Sequence, residues 1–359
     1  MGFRRRADRR RRRELAIEPL TLEALKVVHF HRKPLPTHYS VEGYFARLRE
    51  AMRSSIDVEK YTVPFHSRGL FRRLWNSVCS ALHQRDINHI TGDIHYISLF
   101  LRREKTLLTV LDCQILERLT GVKRAALKLF WFTLPARRVS MITVISAETK
   151  RELLTHVRFP ESQIHVVPVC VSPIFQPNRK EFNTDCPHIL QVGTKPNKNI
   201  PRLVQALEGM RCRLTIVGPL SDALLMMLKE CAIDYDNIVG PTDQQVVELY
   251  GECDIVSFVS TYEGFGMPIV EAQWVERPVV TSNCSSMPEV AGDGACFVDP
   301  FDVPSIRQGF RRVIADDVFR ERILQGGRDN RTRFDEQTVA DRYNQLYRRM
   351  SGGSPHIAR

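Results

Sequence analysis

The stretch from Thr261 to Glu271, TYEGFGMPIVE, leaves few local folds open. Just upstream, Asp254 to Val259 (DIVSFV) is a short apolar run of the length and composition of a buried parallel strand. Gly264 and Gly266 allow a tight turn and let a ligand approach the backbone closely. Pro268 suits the first turn of a helix, where its missing N–H leaves no bond unmade. The segment therefore reads as strand, glycine turn and helix start. A helix start presents unpaired N–H groups at the positive end of its dipole, which favours phosphate. Glu263 falls in the turn and Glu271 in the expected first helical turn, so both can face one ligand. Alone, Glu271 would read as a residue complementing the helix dipole. Carboxylates beside a phosphate site suit a molecule with phosphate and hydroxyl groups, as in a nucleotide-sugar.

The wider string Glu263-Gly-Phe-Gly-Met-Pro…Glu271 resembles the signature of the retaining glycosyltransferases of family 4 (group 1), whose architecture is GT-B. The resemblance continues through Arg277-Pro-Val-Val-Thr-Ser, Ser286-Met-Pro-Glu-Val-Ala-Gly, Phe297-Val-Asp-Pro and Val192-Gly-Thr-Lys-Pro-Asn-Lys-Asn. It is close from about His188 to Asp302 and looser over 88–96 and 140–175.

The resemblance implies a role for each matched residue. Glu263 binds the donor sugar and braces the turn, and Glu271 hydrogen-bonds the ribose hydroxyls. Backbone amides of Gly264, Phe265, Gly266 and Met267, ahead of Pro268, meet sugar hydroxyls and phosphate. Gly193, Thr194 and Lys195 open the loop that leads to Lys198, the phosphate-binding lysine. Asn197 stands where an arginine is common, and Lys195 is the candidate for that second charge. Val239, in the loop VGPT, meets the nucleotide base through its backbone. Asp112 keeps its place in a His-Asp pair whose histidine is here Leu111, with His95 or His38 as stand-ins. Pro36-Thr-His-Tyr39 replaces a glycine pair after the first strand. Glu263, Lys198 and Asp112 are thus the catalytic candidates. Retention is expected by same-face attack, with the departing phosphate helping to take the acceptor proton. Leu111 and the Thr37-His38 loop keep open an alternative, a catalytically impaired nucleotide-sugar-binding protein of the same fold.

Along the chain, short β-rich runs alternate with helix-length segments, which predicts an α/β fold with parallel sheets covered on both faces. Strands are expected at 26–31, 87–91, 106–111, 141–146 and 165–168, and again at 189–193, 214–218, 237–239, 254–259, 279–281 and 296–298. The two sets imply two doubly wound, Rossmann-like domains facing a central cleft. The expected division is a basic tail (1–20), an acceptor domain (21–175), a linker (176–187) and a donor domain (188–335). The apolar face of 336–350 is expected to cross back onto the first domain.

The 43% hydrophobic content of the 359 residues excludes a disordered chain, and no apolar run approaches the ~20 residues of a membrane span. Nine scattered cysteines with no C-x-x-C spacing argue against a disulfide framework or zinc site and favour a cytoplasmic setting. No metal or other cofactor is expected, because lysines and a helix dipole can hold the leaving diphosphate. Asp234-Tyr-Asp236 is the nearest approach to a metal-binding pair and is expected in a loop. His29 and His31 lack further ligands. Of the net charge of +11, Arg4 to Arg6 and Arg9 to Arg13, offset by Asp8 and Glu14, supply +6. That tail reads either as a solvated leader or as a peripheral contact with an anionic membrane; no specific nucleic acid is expected. Residues 123–138 interleave basic and aromatic side chains, and the stripe Leu127, Phe130, Trp131 and Leu134 reads as core rather than a membrane face. The expected partners are a nucleotide-sugar donor and a glycan or lipid-linked acceptor.

Overall fold

The computed structural model describes residues 25–34, 40–53, 56–116 and 119–352. The basic tail and the loop holding Pro36, Thr37, His38 and Tyr39 lie outside the described residues. Among the described residues, twelve strands divide between two all-parallel sheets. The first contains β1 (Lys26–His31), β2 (Asp57–Thr62), β3 (Ile87–Ile90), β4 (Thr106–Val110), β5 (Met141–Val144) and β6 (Ile164–Val166) in the order β2-β1-β3-β4-β5-β6. The second contains β7 (His188–Val192), β8 (Arg213–Val217), β9 (Asp234–Ile238), β10 (Ile255–Phe258), β11 (Val279–Ser282) and β12 (Cys296–Val298), ordered β12-β11-β10-β7-β8-β9.

Central strands such as β4 (TLLTV) and β10 (IVSF) are buried along their whole length. Helices cover both faces, so neither strand keeps a polar side. Strand β2 (DVEKYT) was not anticipated, because an edge strand keeps one side exposed and tolerates charge. Strand β9 is also an edge, and it begins at Asp234. Asp234-Tyr-Asp236 therefore lies within a strand rather than in a loop, and Asp236 pairs with Arg213 of β8 at 2.7 Å. Within 123–138, a π-helical turn at Lys128–Thr133 interrupts the α-helical spacing. That turn adds a residue to the repeat, so Trp131 and Phe132 are buried while Phe130 is 52% exposed. The stripe is core at Trp131 and surface at Phe130.

The C-terminal helix Glu336–Met350 packs Val339, Ala340, Tyr343 and Tyr347 into a cluster with Val27, Phe45, Leu48 and Leu107 of the first sheet and its cover. Buried polar groups thread this junction. The Tyr347 hydroxyl lies 2.8 Å from His29 Nε2 and 2.6 Å from His89 Nδ1. His89 Nε2 is 2.6 Å from Thr109 Oγ1. Burial pushes His89 down to about 3 and His31 to about 2, and lowers His29 too, with Arg49 adding to the shift at both His31 and His29. These rings stay neutral when folded but bind protons near pH 6.5 when unfolded. Their contribution is therefore complete above about pH 6.5 and is lost as pH falls toward about 3. Melting temperature is expected to decline from about pH 6.5 downward, ahead of the carboxylate range. His89→Gln should flatten the slope between pH 6 and 4; an unchanged slope would mean that His89 does not carry this linkage.

Candidate active site between the two sheets

In the second sheet, β7 and β10 are neighbours whose chains continue outward on opposite sides, to β8 and β11. Ligands of doubly wound folds bind beyond the carboxyl ends of such a pair. The two motif loops leave from there, Gly193–Asn199 after β7 and Thr261–Gly266 after β10. Gly193 has φ +89°, and a Cβ added there would meet Lys198 Cε at 3.1 Å, so glycine lets the loop fold its lysine back. Asn199, itself left-handed at φ 59°, donates its amide to the carbonyls of Val259 (3.0 Å) and Pro300 (2.7 Å). Those two bonds tie the loop to the segments that follow β10 and β12.

Across the crevice, Lys198 Nζ donates to Glu263 Oε1 at 2.7 Å, and Asn197 donates to the same oxygen at 3.0 Å. Lys198 and Glu263 side chains are only 14% and 15% exposed. The ammonium also lies 4.4 Å from the Phe258 ring centroid. The turn is braced from behind: Ser285 Oγ donates to the Glu263 carbonyl at 2.7 Å, and Ser286 Oγ to that of Phe265 at 2.6 Å. Gly266 takes φ +119° directly before helix Met267–Val275.

Because that helix begins at Met267, Glu271 falls in its second turn rather than the expected first. Tyr250 donates its hydroxyl to Glu271 Oε2 at 2.7 Å. Burial raises the Glu271 carboxyl above its ordinary range, opposed by the Tyr250 bond and the Lys198 charge. Oε2 is thus engaged, and Oε1 remains as the acceptor for a ligand hydroxyl. Tyr250 comes from helix Asp243–Glu252, which follows the Val239 loop. Val239 itself is 63% exposed after β9, two strands away from β7. The Phe265 ring packs edge-on against Phe334 at 5.6 Å, so it serves the core and offers the site only its backbone. Thr194 packs against Gly218, and Lys195 is exposed at the cleft.

The glycine turn also meets the first half of the chain. A Cβ on Gly264 would lie 3.0 Å from the Leu111 carbonyl and 3.3 Å from Asp112 Cβ. Ser146 Oγ donates to the Gly264 carbonyl at 2.7 Å, and Tyr262 donates its hydroxyl to Glu152. The Glu289 carboxylate accepts from Ala147 N, at the start of helix Ala147–His156, at 2.8 Å. Beside these contacts is a cavity of about 290 Å³ lined by Asp93, His95, Leu111, Asp112, Trp131 and Lys195 among others. Asp112 Oδ1 accepts from Gln114 N at 3.1 Å. His95 Nδ1 lies 2.7 Å from the Trp131 carbonyl, which can only accept, so Nδ1 carries the proton and Nε2 is the basic nitrogen. Burial lowers the His95 pKa, and Asp93 and the Trp131 bond oppose the shift. A larger open groove of about 1110 Å³ beside helix Asp317–Arg331 contains none of these residues.

Of the residues singled out in the sequence, the structure brings Lys198 and Glu263 into contact and places Glu271 in the helix that follows their turn. Sequence reasoning missed Tyr250, Asn199 and Ser285, whose partners are distant in the chain. Among the described residues, no group of three or more His, Cys, Asp or Glu is arranged to hold a metal, and no helix is long and apolar enough to cross a membrane.

Residues 174–330 match the family model of glycosyl transferases group 1. The chain is 30% identical over 207 residues to O-antigen chain mannosyltransferase B of Escherichia coli, covering 50% of this chain and 53% of that one. It is 28% identical over 193 residues to the MMP alpha-(1->4)-mannosyltransferase of Mycolicibacterium hassiacum, covering 50% and 46%. The chain thus spans about half the length of these relatives. Among solved structures, a glycosyltransferase from Rickettsia africae superposes with a TM-score of 0.70 at 16% identity, covering 92% of this chain and 100% of that one. Anabaena HepE in complex with UDP and glucose gives 0.71 at 16% identity, covering 90% and 99%. The two facing doubly wound sheets are therefore a GT-B fold.

Proposed function

We propose that the chain is a metal-independent, retaining glycosyltransferase that moves a hexose from a nucleoside-diphosphate sugar to a sugar, lipid-linked or polysaccharide acceptor in cell-envelope glycan assembly, at the cytoplasmic face. The observation that carries this reading is the Lys198–Glu263 pair at 2.7 Å, set at the switch point between β7 and β10. The ammonium has three N–H donors, of which Glu263 takes one and leaves two for diphosphate oxygens. Glu271, held by Tyr250, receives a ribose hydroxyl. Backbone N–H groups at the start of helix Met267–Val275 face the phosphates. As the bond from the anomeric carbon to phosphate breaks, the acceptor oxygen bonds to that carbon on the same face. Its proton passes to a departing phosphate oxygen, and nucleoside diphosphate leaves. Lys198 and the helix start stabilise the developing charge. Asp112, at the cavity edge beside Gly264, orients the sugar or acceptor. The named activities and envelope roles of the relatives support the class of reaction.

A second reading, a binding protein without turnover, is favoured by Leu111 at the cavity wall. A panel of nucleotide-sugars without added metal separates the two. Thermal stabilisation with release of nucleoside diphosphate supports transfer; stabilisation without release, even with acceptors supplied, supports binding alone. Stabilisation by no donor would sink both. In the same assay Glu271→Ala is expected to weaken nucleotide binding by about 1–3 kcal/mol, as ribose hydrogen bonds to a charged partner are lost. Unchanged affinity would remove Glu271 from the ribose.

A further inference from the structure

Helix Leu70–Leu82 is inverted relative to an ordinary surface helix. Its buried residues are Asn76, Ser77 and Ser80. Leu70 (78% exposed), Phe71 (87%), Trp75 (59%) and Leu82 (78%) face outward, with Leu74 and Val78 between them. At 100° per residue these six side chains cover an arc of about 140°. Specific bonds fix this orientation. The Asn76 amide donates to the Phe65 carbonyl at 2.8 Å and to the Tyr96 hydroxyl at 3.0 Å, and its oxygen accepts from Phe65 N at 3.1 Å.

A basic rim adjoins the apolar face. Arg68 and Arg72 are exposed, and the Arg73 guanidinium lies 4.8 Å from the Trp131 ring centroid. Arg68, Arg73 and Lys33 line a cavity of about 300 Å³. Among the described residues, none of Lys33, Arg68, Arg72 and Arg73 pairs with a carboxylate. This cavity shares Asp93, Ile115 and Trp131 with the cavity beside Asp112.

We propose that this face docks on an anionic lipid bilayer, with the apolar side chains in the interfacial layer and the basic rim against phosphate head groups. Aromatic and aliphatic side chains bordered by arginine are the composition of an interfacial helix. An apolar patch of this extent is a docking surface rather than ordinary exposure. Charge complementarity selects the occupant. A second copy meeting the same face would set arginine against arginine, and the arginine-rich N-terminal segment would be repelled likewise. The rim cavity then opens beside the bilayer and leads to the cleft. Resting on the transferase reading, a phosphate-bearing lipid-anchored acceptor reaches Asp112 without leaving the membrane.

The test is co-sedimentation of the full chain with vesicles of phosphatidylcholine alone or with about one third phosphatidylglycerol. Binding to the anionic vesicles is expected to exceed binding to the neutral ones by about tenfold or more, to weaken in high salt, and to fall by about tenfold in F71S/W75S. Trp75 emission should shift to the blue on binding, a shift that Trp75→Phe removes. Both altered residues are exposed, and a donor-induced melting shift retained by the double variant shows that it is folded. No preference for anionic vesicles, or wild-type binding by the double variant, overturns the proposal. So does loss of binding on deletion of residues 1–24, or a dimer in solution that the same substitutions dissociate. Vesicle binding without donor stabilisation would instead bear on the transferase reading alone.

Discussion

Lys198→Ala is expected to slow release of nucleoside diphosphate from the donor by about 10²–10³-fold, the usual effect of losing one preorganised donor to transition-state charge. The side chain is aimed by its surroundings: Glu263 holds Nζ at 2.7 Å, the Phe258 ring lies beneath it at 4.4 Å, and Gly193 leaves room for its stem. Such an ammonium does not reorganise when charge builds on the leaving phosphate. The loss should therefore appear in the rate and in diphosphate affinity, while affinity for the nucleoside alone changes little. Lys198→Arg is not expected to rescue fully, because a larger planar guanidinium presents its donors in a fixed fork rather than at the single point the ammonium occupies. Equal losses for nucleoside and nucleoside diphosphate would place Lys198 away from the phosphates. Glu263→Gln is the companion variant, keeping an acceptor for Nζ while removing the charge that fixes it.

That pair joins residues 65 positions apart in the chain, and it shows where sequence reasoning reaches and where it stops. Glu263 stood out because it follows an apolar strand and precedes a glycine turn, and Lys198 because its loop follows an apolar strand and resembles the group 1 pattern. Their mutual bond was not legible, since it depends on β7 and β10 being neighbours. Tyr250 was hidden for the same reason: nothing near it in the chain marks it as the partner of Glu271. The central strands declared themselves through continuous apolar runs, whereas β2 and the start of β9 did not, because edge strands carry charge. In 123–138 the composition was legible but its phase was not, since the π turn shifts which side chains face inward. Helix Leu70–Leu82 has an apolar face whose direction follows only from where Asn76 finds its partners.

Asp254→Ala is expected to destabilise the protein by about 3–5 kcal/mol, the cost of removing one member of a buried, hydrogen-bonded ion pair. The side chain is 1% exposed and collects three donors: Lys180 Nζ at 2.5 Å, Asn183 N at 3.2 Å and His188 N at 2.8 Å. Two of these are backbone groups in part-buried surroundings that would lose a partner. Lys180, 31% exposed, can turn to water, which places the cost toward the lower end of the range. All three donors belong to the segment that enters β7 from the first half of the chain, so the damage should be local as well as global. The melting temperature should drop by roughly 10 °C, given about 2–4 °C per kcal/mol for domains of this size. Limited proteolysis should cut first within 176–187, where Asp254 no longer holds the chain. Asp254→Asn keeps one carboxamide oxygen as acceptor and should lose less than the alanine variant. A drop below about 2 °C for Asp254→Ala, with the linker as protected as in wild type, would mean that this carboxylate does not anchor the connection between the two sheets.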